Sequence, residues 1–426
     1  MVANWVLILS LLAFSQDGST EAAADSSLQP WPQGALEALE RIRTPEGVSK
    51  RIIAAGPLVR DPVAFAVDHR GRAYVCESER QEYGVEDNRS SPFWLQDDLA
   101  LQTVDDRLAM YEKHKDRRLD GMGYYSARED RLTCLSDEDG DGIMDTVKPF
   151  TDPFAEPLDG TLAGVLVDEG TAWITNIPHL WIATDENQDG QAESRRSAQR
   201  GFGVRIALRG HDMHGLVRGP DGRIYFSIGD RGFYLQTADG RLLHDAGSGA
   251  VFRCEPDGSA LEVVHVGLRN PQELAFNDFG DLFTGDNNSD AGDRARIVQI
   301  LPGGETGWRM EYQTLEGGNQ RGPWNQEGIW QVEHPLRPRW ASPPITSLGS
   351  GPSGLVYHPG TGFRSDLAGS FFMCDFRGDP AASLLWRFRL EPDGAGYRLS
   401  EKEKFIEGVL CTDVDFTPNG ALWISA

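Results

Sequence analysis

Six stretches of the chain share one pattern of apolar and polar positions. Each has apolar residues at alternate positions, a turn containing Asp, Asn, Pro or Gly, and a second apolar run. The stretches begin at Phe65, Val165, Val217, Phe276, Val356 and Phe416. Alternation with a period of two is the signal of a strand buried on one face, and such turns permit the positive φ that tight hairpins need. Each stretch therefore predicts a β-hairpin.

The spacing of the hairpins indicates how the chain is organised. Most lie 50 to 80 residues apart, which suits repeated four-stranded blades, and no 3.6-residue periodicity favours a helical array. We therefore predict an all-β fold, a six-bladed β-propeller over residues 46–426. The chain stops at Ala426, just inside the second strand of the sixth repeat. Either a strand near Arg51 to Ala55 closes the ring, or the ring is incomplete at the C-terminus and leaves a sheet edge open. We expect an incomplete ring with partial closure.

Two insertions interrupt the repeats. Residues 79–130 are charged and predict a helix from about Asp97 to Lys115, with acidic residues at its start and lysines at its end, as the helix dipole favours. Residues 303–352 are rich in Gly, Pro and Trp and predict a long ordered loop over one face. Its tryptophans either anchor the loop to the core or stack on a sugar; they are Trp308, Trp324, Trp330 and Trp340.

The N-terminus predicts a targeting segment. Trp5 to Phe14 is an apolar run of signal-peptide length, too short to span a bilayer, and Ala22 to Ala24 offers a small-residue cleavage site. We predict a signal peptide over 1–24 and a linker over 25–45, with a buried strand or helix as the alternative for the apolar run. The mature chain would be periplasmic or secreted and would not span the membrane.

Charge and cysteine usage narrow the function classes. The chain has 41 Lys and Arg against 65 Asp and Glu, a net charge of −24. Such an acidic protein repels phosphate backbones, so a nucleic-acid partner is excluded, whereas divalent cations and neutral sugars suit it. The five cysteines show no CxxC pair and no haem motif, which favours free buried thiols over a zinc site or a disulfide framework.

Two acidic loops resemble the first half of a calcium-binding EF-hand loop. Carboxylates at alternate positions followed by glycine supply the oxygen ligands that calcium takes. The first loop offers Asp137, Asp139, Asp141 and Asp145, and the second, 48 residues later, offers Asp185, Asn187, Asp189 and Glu193. We predict structural calcium in both loops; the alternative is a pair of solvated acidic turns.

A histidine and an aspartate flank the third hairpin. His211 comes just before its first strand and Asp230 just after its second, so both lie at the same end, where a carboxylate can orient an imidazole for general-base catalysis. His214 is the rival base. Arg269 precedes the next blade and would bring a guanidinium to the same face. The alternative roles are hydrogen-bonded turn residues and an arginine that ties two blades together. The acidic run from Asp286 to Asp293 could hold a second cation.

Together these motifs resemble the soluble glucose/sorbosone dehydrogenase family, six-bladed propellers that use pyrroloquinoline quinone and calcium. The resemblance lies in His211, in GPDGRIYFSIGD ending at Asp230, in GLRNPQELAF with Arg269, and in GGETGW ending at Trp308. The chain looks still more similar to the "membrane-bound dehydrogenase" propellers of planctomycete-type bacteria, through PLVRDPVAFAVDHRGRAYVCE, DEDGDGIMD and TDVDFTPNGALW. Many of those relatives continue into helical repeats and a cytochrome c domain.

The resemblance implies roles for particular residues. His211 would take the proton of a substrate hydroxyl, Asp230 would orient it, and Arg269 would stabilise the reduced quinone oxygen. Hydride would pass from the sugar to the quinone, and a cytochrome c is the expected electron acceptor. The family also holds the quinone carboxylates with basic residues late in the chain; here those segments carry little positive charge, and Arg377 is the candidate substitute.

The sequence therefore predicts an exported quinoprotein-type oxidoreductase that oxidises a hydroxyl of a sugar or polyol. Two alternatives stay open. A non-catalytic propeller that binds glycans or a protein partner would explain the missing late basic residues. Hydrolysis of a lactone or ester on a calcium-bearing propeller would use the same kinds of side chain.

Overall fold

The six predicted hairpins form the two inner strands of six antiparallel blades, which confirms the six-bladed β-propeller. The computed structural model describes residues 7–13, 31–315, 321–330 and 341–426. In every blade the innermost strand lines the propeller axis, and the strand order runs outward from it. The hairpin turns use glycine where the backbone needs it. Gly222 between the first two strands of the third blade has a φ of +82°, with open space where a Cβ would stand.

The strand bounds follow the repeats. From the axis outward, blade 1 has β3 (Pro62–Val67), β4 (Ala73–Ser78), β5 (Asp130–Ser136) and β6 (Thr146–Pro149), and blade 2 has β7 (Gly164–Asp168), β8 (Thr171–Asn176), β9 (His179–Thr184) and β10 (Ser194–Arg200). Blade 3 has β11 (Met213–Arg218), β12 (Ile224–Ile228), β15 (Gly249–Cys254) and β16 (Glu262–Leu268), extended by the short parallel β20 (Gly304–Glu305). A separate hairpin, β13 (Phe233–Gln236) and β14 (Leu242–Asp245), interrupts it. Blade 4 has β17 (Pro271–Phe276), β18 (Leu282–Asp286), β19 (Arg296–Ile300) and β21 (Thr346–Ser347), and blade 5 has β22 (Pro352–Tyr357), β23 (Phe371–Asp375), β24 (Leu384–Asp393) and β25 (Gly396–Glu407).

The sixth blade joins the two ends of the chain. Its inner strands are β26 (Asp413–Phe416) and β27 (Leu422–Ser425), and its outer strands are β1 (Leu7–Ala13) and β2 (Val48–Ala55). The strand β1 lies between β27 and β2, with Ile8 opposite Ser425. The apolar side chains of Leu9 and Leu11 are fully buried. The expected incomplete ring is therefore wrong: β2, which contains Arg51 to Ala55, and β1 complete the sixth blade. Part of the apolar run predicted as a signal peptide occupies β1, and the signal peptide itself stays a prediction.

The first insertion holds two helices where one was predicted. They are α2 (Leu95–Ala100) and α3 (Val104–His114), which follow α1 (Gln33–Arg41); α4 (Gly322–Gln326) lies in the second insertion. The chain turns at Thr103, whose hydroxyl accepts from the Asp106 N–H at 3.1 Å while the Asp106 carboxylate accepts from the Thr103 N–H at 2.9 Å. This capping box begins α3, so the single helix predicted from about Asp97 to Lys115 is divided into two at Thr103. Asp97 near the start of α2 then pairs with Lys113 near the end of α3 at 2.7 Å. Short 3₁₀ turns span Pro92–Trp94, Lys115–Arg117, Gly121–Ser126, Met310–Thr314 and Ser365–Leu367.

The burial of side chains tests the predictions for the tryptophans of the second insertion and for the five cysteines. Trp308 and Trp324 in the second insertion are fully buried, so they anchor the insertion to the propeller; Trp340 lies outside the described residues. All five cysteines are buried free thiols. Within the described part of the chain, no helix is long and apolar enough to cross a membrane.

An axial cavity of about 310 Å³ is lined by the inner strands of all six blades. Three carboxylates face it: Glu273 on β17, and Asp413 and Asp415 on β26. Burial raises the pKa of Asp413 to about 7 and that of Asp415 to about 6, and it raises the pKa of Glu273 well above the usual range. The axis of the propeller therefore holds three carboxyl groups that burial makes harder to ionise than exposed ones.

Candidate functional site

The third hairpin brings His211 and Asp230 to the same end of the propeller. Met213, the first residue of β11, pairs with Ile228, the last residue of β12. The residues that precede Met213 and those that follow Ile228 therefore lie side by side. The backbone continues the ladder, because the Gly229 N–H donates to the Asp212 carbonyl at 3.1 Å. The predicted meeting of an imidazole and a carboxylate follows from this antiparallel pairing.

The two side chains form a buried hydrogen-bonded pair. His211 Nδ1 lies 2.7 Å from Asp230 Oδ1, and the residues are 4% and 1% exposed. Burial alone would raise the pKa of Asp230, but the neighbouring His211, the Arg269 charge and an indole N–H outweigh it and hold that pKa below its usual value. Because the carboxylate is ionised, it accepts the proton of Nδ1, which leaves the Nε2 lone pair of His211 available as a base.

Trp308 and Arg269 complete this cluster. The Trp308 indole Nε1 donates to the second Asp230 oxygen at 2.7 Å, so the carboxylate is held on both sides. The Arg269 guanidinium carbon lies 5.6 Å from the centroid of the Trp308 ring. The backbone supports the arrangement, since the Asp230 N–H donates to the Arg269 carbonyl at 2.8 Å. The structure therefore brings His211, Asp230 and Arg269 to one place, with Trp308 between the last two.

His214, the rival base, faces the backbone. Its Nε2 lies 3.0 Å from the Gly210 carbonyl and the residue is 4% exposed. Burial lowers its pKa, which keeps the ring neutral. A ring nitrogen that donates to a main-chain carbonyl fixes the loop before β11, and this is the geometry of a structural histidine.

A second buried polar group lies beside the pair. Asp212 is fully buried, and neither of its carboxylate oxygens has a hydrogen-bond partner among the described residues. Its nearest cation is Arg231, whose Nε lies 3.4 Å from Oδ1. A Cβ on Gly160 would stand 2.3 Å from the same oxygen, so glycine is required there. Both Asp212 and Arg231 stand next to predicted site residues, yet nothing in their sequence context separates them from ordinary loop residues.

The two insertions cover this face. Arg231 Nη2 donates to the Glu86 carbonyl at 3.4 Å, and the Asn88 N–H donates to the Ala207 carbonyl at 3.1 Å, which ties the first insertion to the segment before His211. The second insertion contributes Trp308. The indole contact could not be deduced from the sequence, because it joins residues 78 positions apart.

Arg377 lies elsewhere. Its guanidinium pairs with Asp375 at 2.6 Å, at the end of β23, and it lines a cleft of about 500 Å³ between blades 4 and 5 together with Arg294, Lys402 and Lys404. His211 and Arg269 do not line that cleft. The structure therefore does not join Arg377 to the cluster, and its role as a cofactor ligand stays a prediction.

In both acidic loops the side chains accept backbone N–H groups of their own loop, and the loops differ in how closely their ligand atoms converge. In the first, ligand atoms of Asp137, Asp139 and Asp145 all lie within 4.8 Å of one another; Asp141 is not part of that group. In the second loop, no comparable group exists among the described residues. There, the side chains of Asp185, Asn187, Asp189 and Glu193 accept backbone N–H groups of their own loop, and Asn187 also donates to Glu193.

The carboxylates of the acidic run from Asp286 to Asp293, which begins at the end of β18, form ion pairs with arginines. Asp286 accepts the N–H groups of Arg269 and Asn270 at 3.1 and 2.7 Å, and it pairs with the buried Arg296. Asp290 pairs with Arg269 at 2.7 Å. Asp286 and Asp293 both lie within 4.0 Å of the Arg296 guanidinium, so these carboxylates are paired with arginines, and a second cation in this run stays a prediction.

Comparison with solved structures defines the class. The PQQ-bound aldose sugar dehydrogenase of Streptomyces coelicolor is 17% identical, with a TM-score of 0.51 over 90% of this chain and 97% of that chain. The calcium structure of a Trichoderma reesei carbohydrate-active enzyme of family AA12 is 10% identical, with a TM-score of 0.50 over 90% of this chain and 96% of that chain. The fold is thus that of the sugar dehydrogenase-like six-bladed propellers.

The family is given by a second comparison. The model of a domain of unknown function, DUF7133, matches residues 35–424, and the chain belongs to this family. A search of curated proteins finds no match.

Proposed function

We propose that the protein is an exported oxidoreductase that oxidises a hydroxyl group of a sugar or polyol, with a bound quinone as the oxidant. The observation that carries the proposal is the contact chain from His211 through Asp230 and Trp308 to Arg269, in a chain whose fold is shared with a PQQ-bound sugar dehydrogenase. The apolar run from Trp5 to Phe14 supports export.

The residues divide the work as follows. His211 Nε2 takes the proton of the substrate hydroxyl, and the ionised Asp230 stabilises the imidazolium that forms. Trp308 holds the carboxylate in place by donating to its second oxygen. A bound quinone would supply the capacity to accept a hydride, the chemistry that these side chains lack. Arg269 would bind oxygen atoms of such a ligand with a donor of its guanidinium fork.

Access to the base is restricted. His211 is 4% exposed, so a sugar hydroxyl reaches Nε2 only after part of the cover over this face opens. The same closure would strengthen the electrostatic contacts of the site by excluding water. Asp137, Asp139 and Asp145 are proposed to hold a structural calcium ion at the outer part of the first blade.

A cofactor titration tests the proposal. Pyrroloquinoline quinone and calcium are added to the protein while absorbance is followed, and the loaded protein is then given aldoses or polyols with an artificial electron acceptor. We expect a saturable spectral change and substrate-dependent reduction of the acceptor. No spectral change at high quinone concentration would leave the binding of glycans or a protein partner as the better explanation.

A pair of histidine variants locates the base. His211→Gln should lower turnover about 10²–10⁴-fold, the usual contribution of a general base. His214→Gln is the matched control from the same loop, and it should retain turnover to the extent that it folds. Circular dichroism and thermal melting check folding in both. A turnover loss confined to His214→Gln would assign the base to the other ring.

A further inference from the structure

Two arginines lie side by side next to Asp290. Arg269 Nη2 donates to Asp290 Oδ2 at 2.7 Å and its Nε to Gln313 Oε1 at 3.1 Å. Arg321 Nε donates to the Ser289 carbonyl at 2.7 Å and its Nη1 to the Gln313 carbonyl at 2.5 Å. Both guanidinium groups are therefore bound to the same two stretches of chain, one in blade 4 and one in the second insertion.

A third arginine reaches the cluster from the first insertion. Arg89 is 61% exposed at its side chain and pairs with Asp87 at 2.7 Å. Asp87 also accepts the Arg209 N–H at 3.2 Å, so Arg89 lies close to the segment that leads to His211. The three arginines, Arg89, Arg269 and Arg321, are called the arginine cluster below.

Among the described residues, the three arginines of the cluster have fewer ion pairs than charges. Asp290 forms an ion pair with Arg269, and Asp87 forms one with Arg89. In the described part of the chain, no carboxylate oxygen lies within 4.0 Å of the Arg321 guanidinium nitrogens. Burial and the adjacent Arg269 charge lower the pKa of Arg321, and the charges of Asp290 and Asp293 offset them only in part. A half-buried cation beside another cation is costly unless an anion joins it. This local excess of positive charge contrasts with the net charge of the protein, which is −24.

The backbone holds Arg321 in place at some cost. Its φ is +60°, in the left-handed region. A residue with a Cβ pays about 1–2 kcal/mol there, which argues for a surrounding structure that fixes this conformation.

We propose that the arginine cluster binds carboxylate groups of the ligand that lies over the His211–Asp230 pair. The inference rests on the proposed function and deepens it: the cations missing from the late blades are supplied by the two insertions. Guanidinium forks match carboxylates geometrically and bind them with two parallel hydrogen bonds. The position fits, because Arg269 stacks on Trp308, which in turn contacts Asp230. The carboxylate belongs either to a polycarboxylated quinone or to an acidic sugar.

The test measures equilibrium binding and does not depend on turnover. Pyrroloquinoline quinone, glucuronate and glucose are titrated into the full chain by calorimetry, at two salt concentrations. The variants are Arg321→Gln and Arg89→Gln, with Arg321→Lys to keep the charge but remove the fork. Arg398→Gln is the matched control, since Arg398 is an exposed arginine on the outermost strand of blade 5. Circular dichroism confirms that each variant is folded.

We expect Arg321→Gln to weaken binding of the carboxylate ligand about 10- to 100-fold, as the loss of a hydrogen bond to a charged group does. Arg321→Lys should fall between the variant and the parent. Arg89→Gln should have a smaller effect that shrinks with added salt, because this arginine is exposed. Arg398→Gln should bind as the parent does, and none of the variants should change the affinity for glucose.

The outcomes separate the inference from the function on which it rests. If the parent binds quinone and the variants bind it equally well, the arginine cluster is not the carboxylate site, although the proposed function stands. If the parent binds glucuronate but not quinone, and the variants lose it, the inference stands and the quinone is ruled out. A parent chain that binds neither carboxylate ligand overturns the inference.

Discussion

Replacing Asp413 by asparagine should remove a loss of stability that grows from about pH 4 to about pH 7, so the benefit of the change should be small at pH 5 and largest at pH 8. Asp413 begins the innermost strand of blade 6, faces the axial cavity, and accepts the Phe65 N–H at 2.9 Å. Burial, with a smaller contribution from the charge of Asp415, raises its pKa from 3.8 to about 7. Asparagine keeps an acceptor for the Phe65 N–H and carries no charge, but its NH2 group replaces the oxygen that accepts the Val414 N–H at 2.8 Å, which adds a cost that does not depend on pH.

The sign follows from proton binding. Between the pKa of the unfolded chain and that of the folded protein, only the folded state holds this proton, so stability is full below the lower value and falls as pH rises through about 7. A shift of about three units, at about 1.4 kcal/mol for each unit, sets an upper bound of about 4 kcal/mol on the cost at pH 8. Glu273 faces the same cavity and also has a raised pKa, so the two carboxyl groups titrate together and the cost is not that of Asp413 alone. We therefore expect a gain of about 2–4 kcal/mol in the free energy of unfolding for Asp413→Asn at pH 8.

The assay is urea unfolding followed by tryptophan fluorescence at pH 5, 6, 7 and 8. The difference between variant and parent is the quantity of interest, because the repulsion within this acidic chain changes with pH in both and cancels. Asp116→Asn, at an exposed position, is the matched control and should show no pH-dependent difference. A variant that is equally displaced from the parent at pH 5 and pH 8 would refute the assignment of a proton to this group.

Three further predictions concern other parts of the molecule. Trp308→Phe removes a hydrogen bond to a buried carboxylate, and urea unfolding should show a loss of about 1.5–3 kcal/mol; an unchanged midpoint would contradict the contact. Calcium should raise the melting temperature of the parent by mass action, worth about 2.7 kcal/mol at a concentration 100 times the Kd, and Asp139→Asn should lose this effect whereas Asp141→Asn keeps it. Gly160→Ala should destabilise the fold by about 1–3 kcal/mol because its Cβ has no room, whereas Gly123→Ala, whose Cβ would contact one atom at 3.7 Å, should not; equal melting temperatures would refute this.

The sequence predicted the parts of the fold that depend on neighbouring residues. Each hairpin is a local structure, read from alternation and a turn, and all six pairs of inner strands are confirmed. In blade 5 the second strand begins only at Phe371, beyond the turn predicted after Val356. The closure of the ring depends on β1 pairing with β27, more than 400 positions away, and no local pattern specifies that register. The break at Thr103 was readable, since a threonine followed three residues later by Asp106 is a helix-start signal, but the charge pattern favoured one long helix.

The same distinction holds for the candidate site. His211 and Asp230 were predicted to meet because one hairpin places both at the same end. The contact of Trp308 with Asp230 and the approach of Arg321 to Arg269 come from an insertion that folds back over the face, and only the structure shows them. Both acidic loops were predicted from their charges, and calcium in the second loop stays a prediction; in both loops the side chains accept N–H groups of their own backbone.

The position of β1 has a consequence for how the protein is made. A segment that forms the third strand of a blade cannot also be cut away as a leader, because its loss would leave β27 and β2 about 10 Å apart, twice the spacing of paired strands. In any one molecule, therefore, export with cleavage and closure by Leu7–Ala13 exclude each other. A cleaved chain would need another strand between β27 and β2. Mass spectrometry of the purified protein distinguishes the cleaved chain from the chain that keeps Leu7–Ala13.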